Sequence, residues 1–387
     1  MKQKGKLLLV GGLIISYFVS CEDNFDIPIL SDSEIKQIIT ALPKNVVYPT
    51  NNLYSNEKDE LGKMLYWDPI LSGNKDVACV TCHHPQLGYA DGLKFSQGVG
   101  GVGMGEARSG GSLTRRNAPT IINTAFTGID ISGNYNPLDA PMFWDSRASS
   151  LEDQAGGPPL SMEEMRGDAI SEEHIIDIII QRLELIPEYK TMFLQAYGDE
   201  EISEERIFKA IATYERGIIA NNSRFDQYMN GDLTAMTDHE VQGMNAFIQV
   251  GCADCHSGPM FSDYKLHSIG VPDNVYPPDE GAGSYDFRTP TLRNLSITGP
   301  YMHNGIHATL EEVMQFYEDV GENDEGNDNI NSNLNYSQLD PEIRDLQLDD
   351  EHFDAIIAFL KTLDDYSFDK TIPQKVPSGL PVGGNIK

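Results

Sequence analysis

Cysteine is scarce: the chain has five in 387 residues, and four of them form two Cys-x-x-Cys pairs, Cys79/Cys82 and Cys252/Cys255. Only Cys21 is left over, so a disulfide-framed secreted scaffold is excluded. Basic residues are also few, 28 Lys and Arg against 59 Asp and Glu, for a formal net charge of −31. Such a field repels nucleic acid and disfavours anionic surfaces, and it attracts basic partners or metal cations; its blandest role is solubility. The chain has two tryptophans and one notable apolar run, Leu7 to Val19, which Gly11 and Gly12 interrupt. That run is short for a membrane span. Strand-like alternation is scarce, and no histidine lies between His84 and His174.

What is present begins with a leader. Lys2, Lys4 and Lys6 precede the apolar run, and Ser20-Cys21 follows it, so residues 1–20 read as a lipoprotein signal peptide with Cys21 as the acylated first residue of the mature chain. Residues 21–50 are then a polar tether with one short helical stretch around Ser33 to Leu42. The expected location is the periplasm, with the membrane reached only through the lipid.

The length predicts two domains. A helix containing Leu61 to Asp68 and ending at Pro69 opens the first, residues 51–232. Apolar spacing of three and four predicts helices over Glu172 to Leu185, Glu188 to Tyr197 and Glu204 to Tyr228. Thr237 and Glu240 form a capping box that opens the second domain, residues 233–368. Its last helix, Asp349 to Leu363, precedes a tail, 369–387, rich in proline and glycine. Leu61 to Tyr66 precedes the first cysteine pair much as Gly243 to Phe247 precedes the second, a degenerate repeat. The fold expected is mostly α, two class I cytochrome c-like domains in tandem. The stretch Gly98 to Gly103 lacks the strand and helix that frame a dinucleotide loop, and reads as a mobile loop over a cofactor.

Both cysteine pairs are followed at once by histidine, as Cys79-Val80-Thr81-Cys82-His83 and Cys252-Ala253-Asp254-Cys255-His256. Cysteines at this spacing add across the two vinyl groups of a haem, and the histidine is held under the iron as its proximal ligand. A four-cysteine zinc site or a dithiol redox pair needs no histidine after each pair, and the two pairs are too distant in sequence for a zinc knuckle. Two covalently bound haem c groups follow. The ligand on the other face of each iron decides between electron transfer and peroxide or oxygen chemistry, and spacing alone leaves it open.

From about residue 53 to 365 the chain resembles the bacterial di-haem cytochrome c peroxidases, in the group that includes MauG. The shared text includes Arg116-Asn117-Ala118-Pro119-Thr120, Phe143-Trp144-Asp145-Ser146-Arg147, Leu151-Glu152-Asp153-Gln154-Ala155, Thr289-Pro290-Thr291-Leu292-Arg293-Asn294 and Pro300-Tyr301-Met302-His303-Asn304-Gly305. The resemblance implies a peroxidatic haem on His83, with Glu164 as acid/base carboxylate and Gln154 and Pro158 nearby. The loop position where many family peroxidases keep a displaceable histidine falls on Val99, so the His83 haem is expected five-coordinate or water-ligated at rest. Trp144 is expected between the haems as an electron relay, and Asn117 with the Thr298 and Pro300 carbonyls as a calcium site. On the electron-transfer haem of His256 the distal ligand is Tyr317, as in MauG, or Met314 one turn before it.

The resemblance therefore implies an enzyme that reduces hydrogen peroxide with electrons from a small cytochrome c or cupredoxin. Because classical members of the family are dimeric, the resemblance makes a homodimer a candidate state. One alternative is a MauG-like oxidase using a high-valent di-haem state on a protein or organic substrate, and another is a non-catalytic electron carrier.

Overall fold

The computed structural model describes residues 27–275, 277–321 and 330–387. The leader, Cys21 and most of the acidic run Glu318 to Asp328 lie outside the described residues. The chain is mostly helical: α1 (Asn56–Trp67), α2 (Glu172–Glu184), α3 (Pro187–Tyr197), α4 (Glu204–Arg216), α5 (Arg224–Met229), α6 (Asp238–Gln249), α7 (Leu310–Gly321) and α8 (Phe353–Leu360), with shorter single turns between them. The only sheet among the described residues is a two-residue antiparallel pair, β1 (Leu266–His267) and β2 (Phe287–Arg288). No described helix is long and apolar enough to cross a membrane.

The same helix crossing is built twice. Helix α1 starts at Ser55, whose hydroxyl accepts from the Lys58 amide, and stops at Asp68 before Pro69. It buries Leu61, Leu65, Tyr66 and Trp67. Gly62 lies against α4, where a Cβ would overlap the Ala210 carbonyl. Helix α6 starts at Thr237, with both halves of the capping box made to Glu240. Gly243 lies against α8, where a Cβ would overlap the Ala355 carbonyl. Around this second crossing Phe225, Phe247, Phe261 and Phe359 pack with ring centroids 5.2 to 6.1 Å apart. Alanine is the better helix former by about 1 kcal/mol, yet here the backbones must separate to admit it, and overpacking costs about 1–3 kcal/mol or more. Gly243→Ala should therefore lower the denaturant midpoint of the haem-loaded protein, and an unchanged or raised midpoint would show that the crossing yields without strain.

Four stretches differ from their sequence reading. The stretch Ser33 to Leu42 is helical only where it overlaps the short helix Asp32–Ile35; Ile35 and Ile39 are buried in the core of the second half, Leu42 against Phe126, Ile129 and Met260, and the Leu30 amide donates to Asn245 Oδ1. The helix expected over Glu204 to Tyr228 is two helices. Beyond Gly217 the Asn123 side chain takes the place of helical bonds, donating to the Ala220 carbonyl and accepting from its amide, and a Ser223 capping box starts α5.

The glycine-rich stretch is laced, not loose. Backbone bonds join Val102 to Ser109 and Gly98 to Ser112, and the Arg108 guanidinium donates to the Gln97, Gly98 and Gly103 carbonyls. Residues 369–387 run back over the first half as a strap. Ser378 donates to Asp68, the Gly383 amide to the Trp67 carbonyl, and Thr81 Oγ1 to the Gly383 carbonyl.

Candidate functional site

One cavity of about 660 Å³ is lined by Cys79, Cys82 and His83 and by Cys252, Cys255 and His256. Each pair begins a turn of 3-10 helix, Cys79–Thr81 and Cys252–Asp254. All four thiols are unpaired. Burial pushes those of Cys82 and Cys252 up to about 12. His83 Nδ1 lies 3.1 Å from the Tyr89 carbonyl, and His256 Nδ1 lies 2.9 Å from that of Phe261. A carbonyl can only accept, so Nδ1 carries the proton and Nε2 keeps its lone pair for a metal. Tyr89 and Phe261 take left-handed backbone, φ 55° and 54°, in the segments that bring these carbonyls round. Burial lowers both histidines and keeps them neutral. Paired thiols, a neutral imidazole with a free Nε2 and a mostly apolar wall fit a haem c at each motif.

Glu164 lines the same cavity. It sits on a wide turn, Met162–Arg166, capped by Ser161 Oγ accepting from the Glu164 amide. Two glycines hold the turn from outside: a Cβ at Gly98 would overlap the Glu163 and Glu164 carbonyls, and one at Gly73 the Arg166 carbonyl. Burial raises the Glu164 carboxyl above its ordinary value, while Arg147 draws it down. Its charge in turn helps raise the Cys79 and Cys82 thiols, which places it in the electrostatic field of the first motif. Gln154, Pro158 and Arg147 line the cavity too. Arg147 stacks on Phe143 at 3.6 Å and pairs with Asp145 at 2.8 Å. Val99 is buried in the core of the first half.

Trp144 lines the cavity from a segment bound to both halves. Its Nε1 donates to the Asn117 carbonyl at 2.9 Å, and its own carbonyl accepts from the Arg288 amide at 2.7 Å. Asn117 is buried; its Nδ2 donates to the Leu93 carbonyl, which leaves Oδ1 as an oxygen donor. Thr298 and Pro300 line the cavity with it. Tyr317 and Met314 stand one turn apart on α7, and both reach the cavity. The Tyr317 phenol is raised by burial and then by Cys255 and Cys252, so it belongs to the second motif as Glu164 belongs to the first.

Two cavity residues had escaped the sequence reading. His267 bridges Asp340, 2.8 Å from Nδ1, and Asp263, 3.1 Å from Nε2. The Asp263 bond, then the Cys255 thiol, raise it to about 11. Its signal was the aspartate four residues before it. Glu215, on α4, is buried at 5 % exposure; a charged residue near a helix end gives no such hint in sequence.

Comparison with known proteins agrees with this constellation. A family profile described as di-haem cytochrome c peroxidase matches residues 56–234. The chain is 33% identical over 341 residues to a methylamine utilization protein MauG of Methylorubrum extorquens, covering 86% of this chain and 85% of that one. It is 30% identical over 329 residues to a cytochrome c551 peroxidase of Nitrosomonas europaea, covering 82% and 83%. Among solved structures, a MauG-like protein associated with microbial copper homeostasis superposes with a TM-score of 0.67 at 27% identity, covering 84% of this chain and 95% of that one.

Proposed function

Because this chain belongs to the di-haem cytochrome c peroxidase family, to which its MauG relatives are also close, we propose that it reduces hydrogen peroxide to water with electrons from a small redox protein. Membership makes it an oxidoreductase with two haem c groups; the donor sets of Cys79, Cys82 and His83 and of Cys252, Cys255 and His256 are suited to hold them. The tandem domains are then the two crossing units, 51–232 and 233–368, each in the manner of a class I cytochrome c. When bound, the haem at His83 supplies the iron at which the peroxide bond is cleaved, and the haem at His256 supplies electrons.

The observation that carries the reading is Glu164: a half-buried carboxyl on the cavity wall, raised by desolvation and within the field of the first motif. Its role is to take the proton from one peroxide oxygen and return it to the other, which leaves as water. Gln154 offers an amide beside it. Trp144 is the relay between the halves, supported by its bonds to Asn117 and to Arg288. Asn117 Oδ1 and the Thr298 and Pro300 carbonyls are oxygen donors of the kind calcium takes. The net charge of −31 suits a basic donor protein, a cytochrome c or cupredoxin. Attachment through Cys21 in the periplasm completes the proposal.

A second reading, a MauG-like oxidase acting on a protein or organic substrate, is favoured by Tyr317 beside the second motif and by Val99 in the loop position that many family peroxidases give to histidine. One experiment tests both: electron paramagnetic resonance and optical spectra of the isolated protein, wild type beside Tyr317→Phe, before and after peroxide. One high-spin and one low-spin ferric haem, with the low-spin signal changed by the substitution and peroxide reacting directly, is the expected outcome. Two low-spin haems inert to peroxide until half-reduced would sink the open first site and the tyrosine ligand together. Rapid oxidation of a reduced cytochrome under peroxide then favours the peroxidase, and its absence favours the oxidase.

A further inference from the structure

Reduction of peroxide consumes two protons with its two electrons, and Glu164 moves only the proton that the substrate already carries. Glu215 is a second carboxyl on the wall of the same cavity. It is 5 % exposed, and its Oε2 is buried with no hydrogen-bond partner. A buried carboxylate without a full set of donors is costly, so the protein has a reason to hold this group where a proton can join it.

The cation that acts on Glu215 is already engaged by another acid. Arg216, next to it on α4, is taken by Glu152, with Nη1 at 2.5 Å from Oε1 and Nη2 at 2.7 Å from Oε2. From α1, Tyr66 spends its hydroxyl on the His83 carbonyl at 2.5 Å. From the first motif comes Cys79, whose thiol Glu215 helps to raise, and which ceases to titrate once it is a thioether. Glu152 and Glu164 are the other acids acting on this neighbourhood. Burial, opposed by Arg216 and assisted by Glu152, pushes Glu215 up to about 8.

We propose that Glu215 is the redox-linked proton site of the first haem pocket. Its carboxylate takes a proton from solvent through the cavity when the iron held by His83 gains an electron from the donor protein, and it releases that proton on reoxidation. One O–H bond forms per electron gained, so charge in the pocket is conserved. A ferric haem carries one more positive charge than a ferrous one, and that charge beside Cys79 favours the ionised carboxylate; reduction removes it. This rests on Cys79, Cys82 and His83 holding a haem, but not on peroxide being the substrate.

The test is a spectroelectrochemical titration of both haems from about pH 6 to about pH 9, a window around the value near 8. In the wild type the first haem's potential should fall with rising pH between the lower value of the carboxyl beside a ferric haem and its higher value beside a ferrous one, by up to about 59 mV per unit for a one-electron couple, because raising the pH there withdraws the proton that accompanies the electron. Glu215→Gln should flatten that slope while the slope of the second haem is unchanged. An undiminished slope at the first haem in Glu215→Gln, with both haems present by mass, overturns the proposal. If that variant loads poorly, infrared difference spectra of the wild type and Glu164→Gln decide: a protonated-carboxyl band that appears on reduction of the first haem in both supports Glu215, and no such band in either overturns it. A steep slope in a protein that fails to turn over peroxide supports the proton site while refuting the peroxidase reading.

Discussion

Replacing Glu164 with glutamine should lower peroxide turnover by roughly 10²- to 10⁴-fold, the usual contribution of a positioned general acid/base. Glutamine preserves the shape of the side chain and leaves the Ser161 cap and the Gly98 and Gly73 contacts untouched, so the turn has no reason to move. What disappears is the oxygen able to hold and return a proton. Steady-state oxidation of a reduced cytochrome by peroxide measures the loss, and the ratio of haem to protein checks that both haems are in place. A variant that kept its activity within threefold would remove Glu164 from the chemistry and turn attention to Glu163, which lines the same cavity.

The largest effect on stability is expected at Arg293. Its guanidinium donates Nη1 to Asp226 Oδ2 and Nη2 to Asp226 Oδ1, both at 3.0 Å, and Nε to the Pro259 carbonyl; both side chains of the pair are 1 % exposed. Asp226 also accepts from Ser223 and from the Leu42 amide, so this one pair joins α5, the segment after the second haem motif and the amino-terminal stretch. Arg293→Met strands a buried carboxylate and should cost about 3–5 kcal/mol in denaturant unfolding of the loaded protein. The double variant Arg293→Met, Asp226→Asn should lose less than the sum of its parts, since the two residues are coupled. Burial raises the Asp226 carboxyl but Arg293 outweighs it, and the folded value lies below the ordinary one. Its contribution is therefore present above about pH 4, the unfolded value, and is lost as the pH falls through the folded value. A single variant that unfolds at the wild-type midpoint would show the pair to be replaceable.

The two Cys-x-x-Cys-His motifs and the capping box at Thr237 were legible in the sequence, because each depends on local spacing; the places of Glu164 and Tyr317 on the cavity wall followed only from family text. What was not legible depends on distant contacts. Ile218 keeps the apolar spacing of three and four set by Ile211 and Tyr214, but the Ala220 amide and carbonyl bond to the Asn123 side chain, about a hundred residues away, and no local pattern announces that. Ile35 and Ile39 sit in a polar stretch that composition marks as a tether, yet both are buried in the core around α6 and α8. Glu215 was invisible for the opposite reason: an acid near the end of a helix is ordinarily solvated, and only the crossing of α1 and α4 turns it inward. The glycine-rich stretch looked mobile because Arg108, which fastens it, is one arginine among many until its three carbonyl partners are seen together.

The strap over the first motif also has a consequence in time. Thr81, inside the first cysteine pair, is bonded to Gly383, 302 residues further along the chain. At a synthesis rate of about 5–20 residues per second, roughly 15 to 60 seconds separate the making of these two partners. Throughout that interval the first pair of thiols lacks the contact that later covers it, and the entire second half, with its own pair, is made before the strap arrives. The motif made first is thus the one whose set of contacts is last to be synthesised.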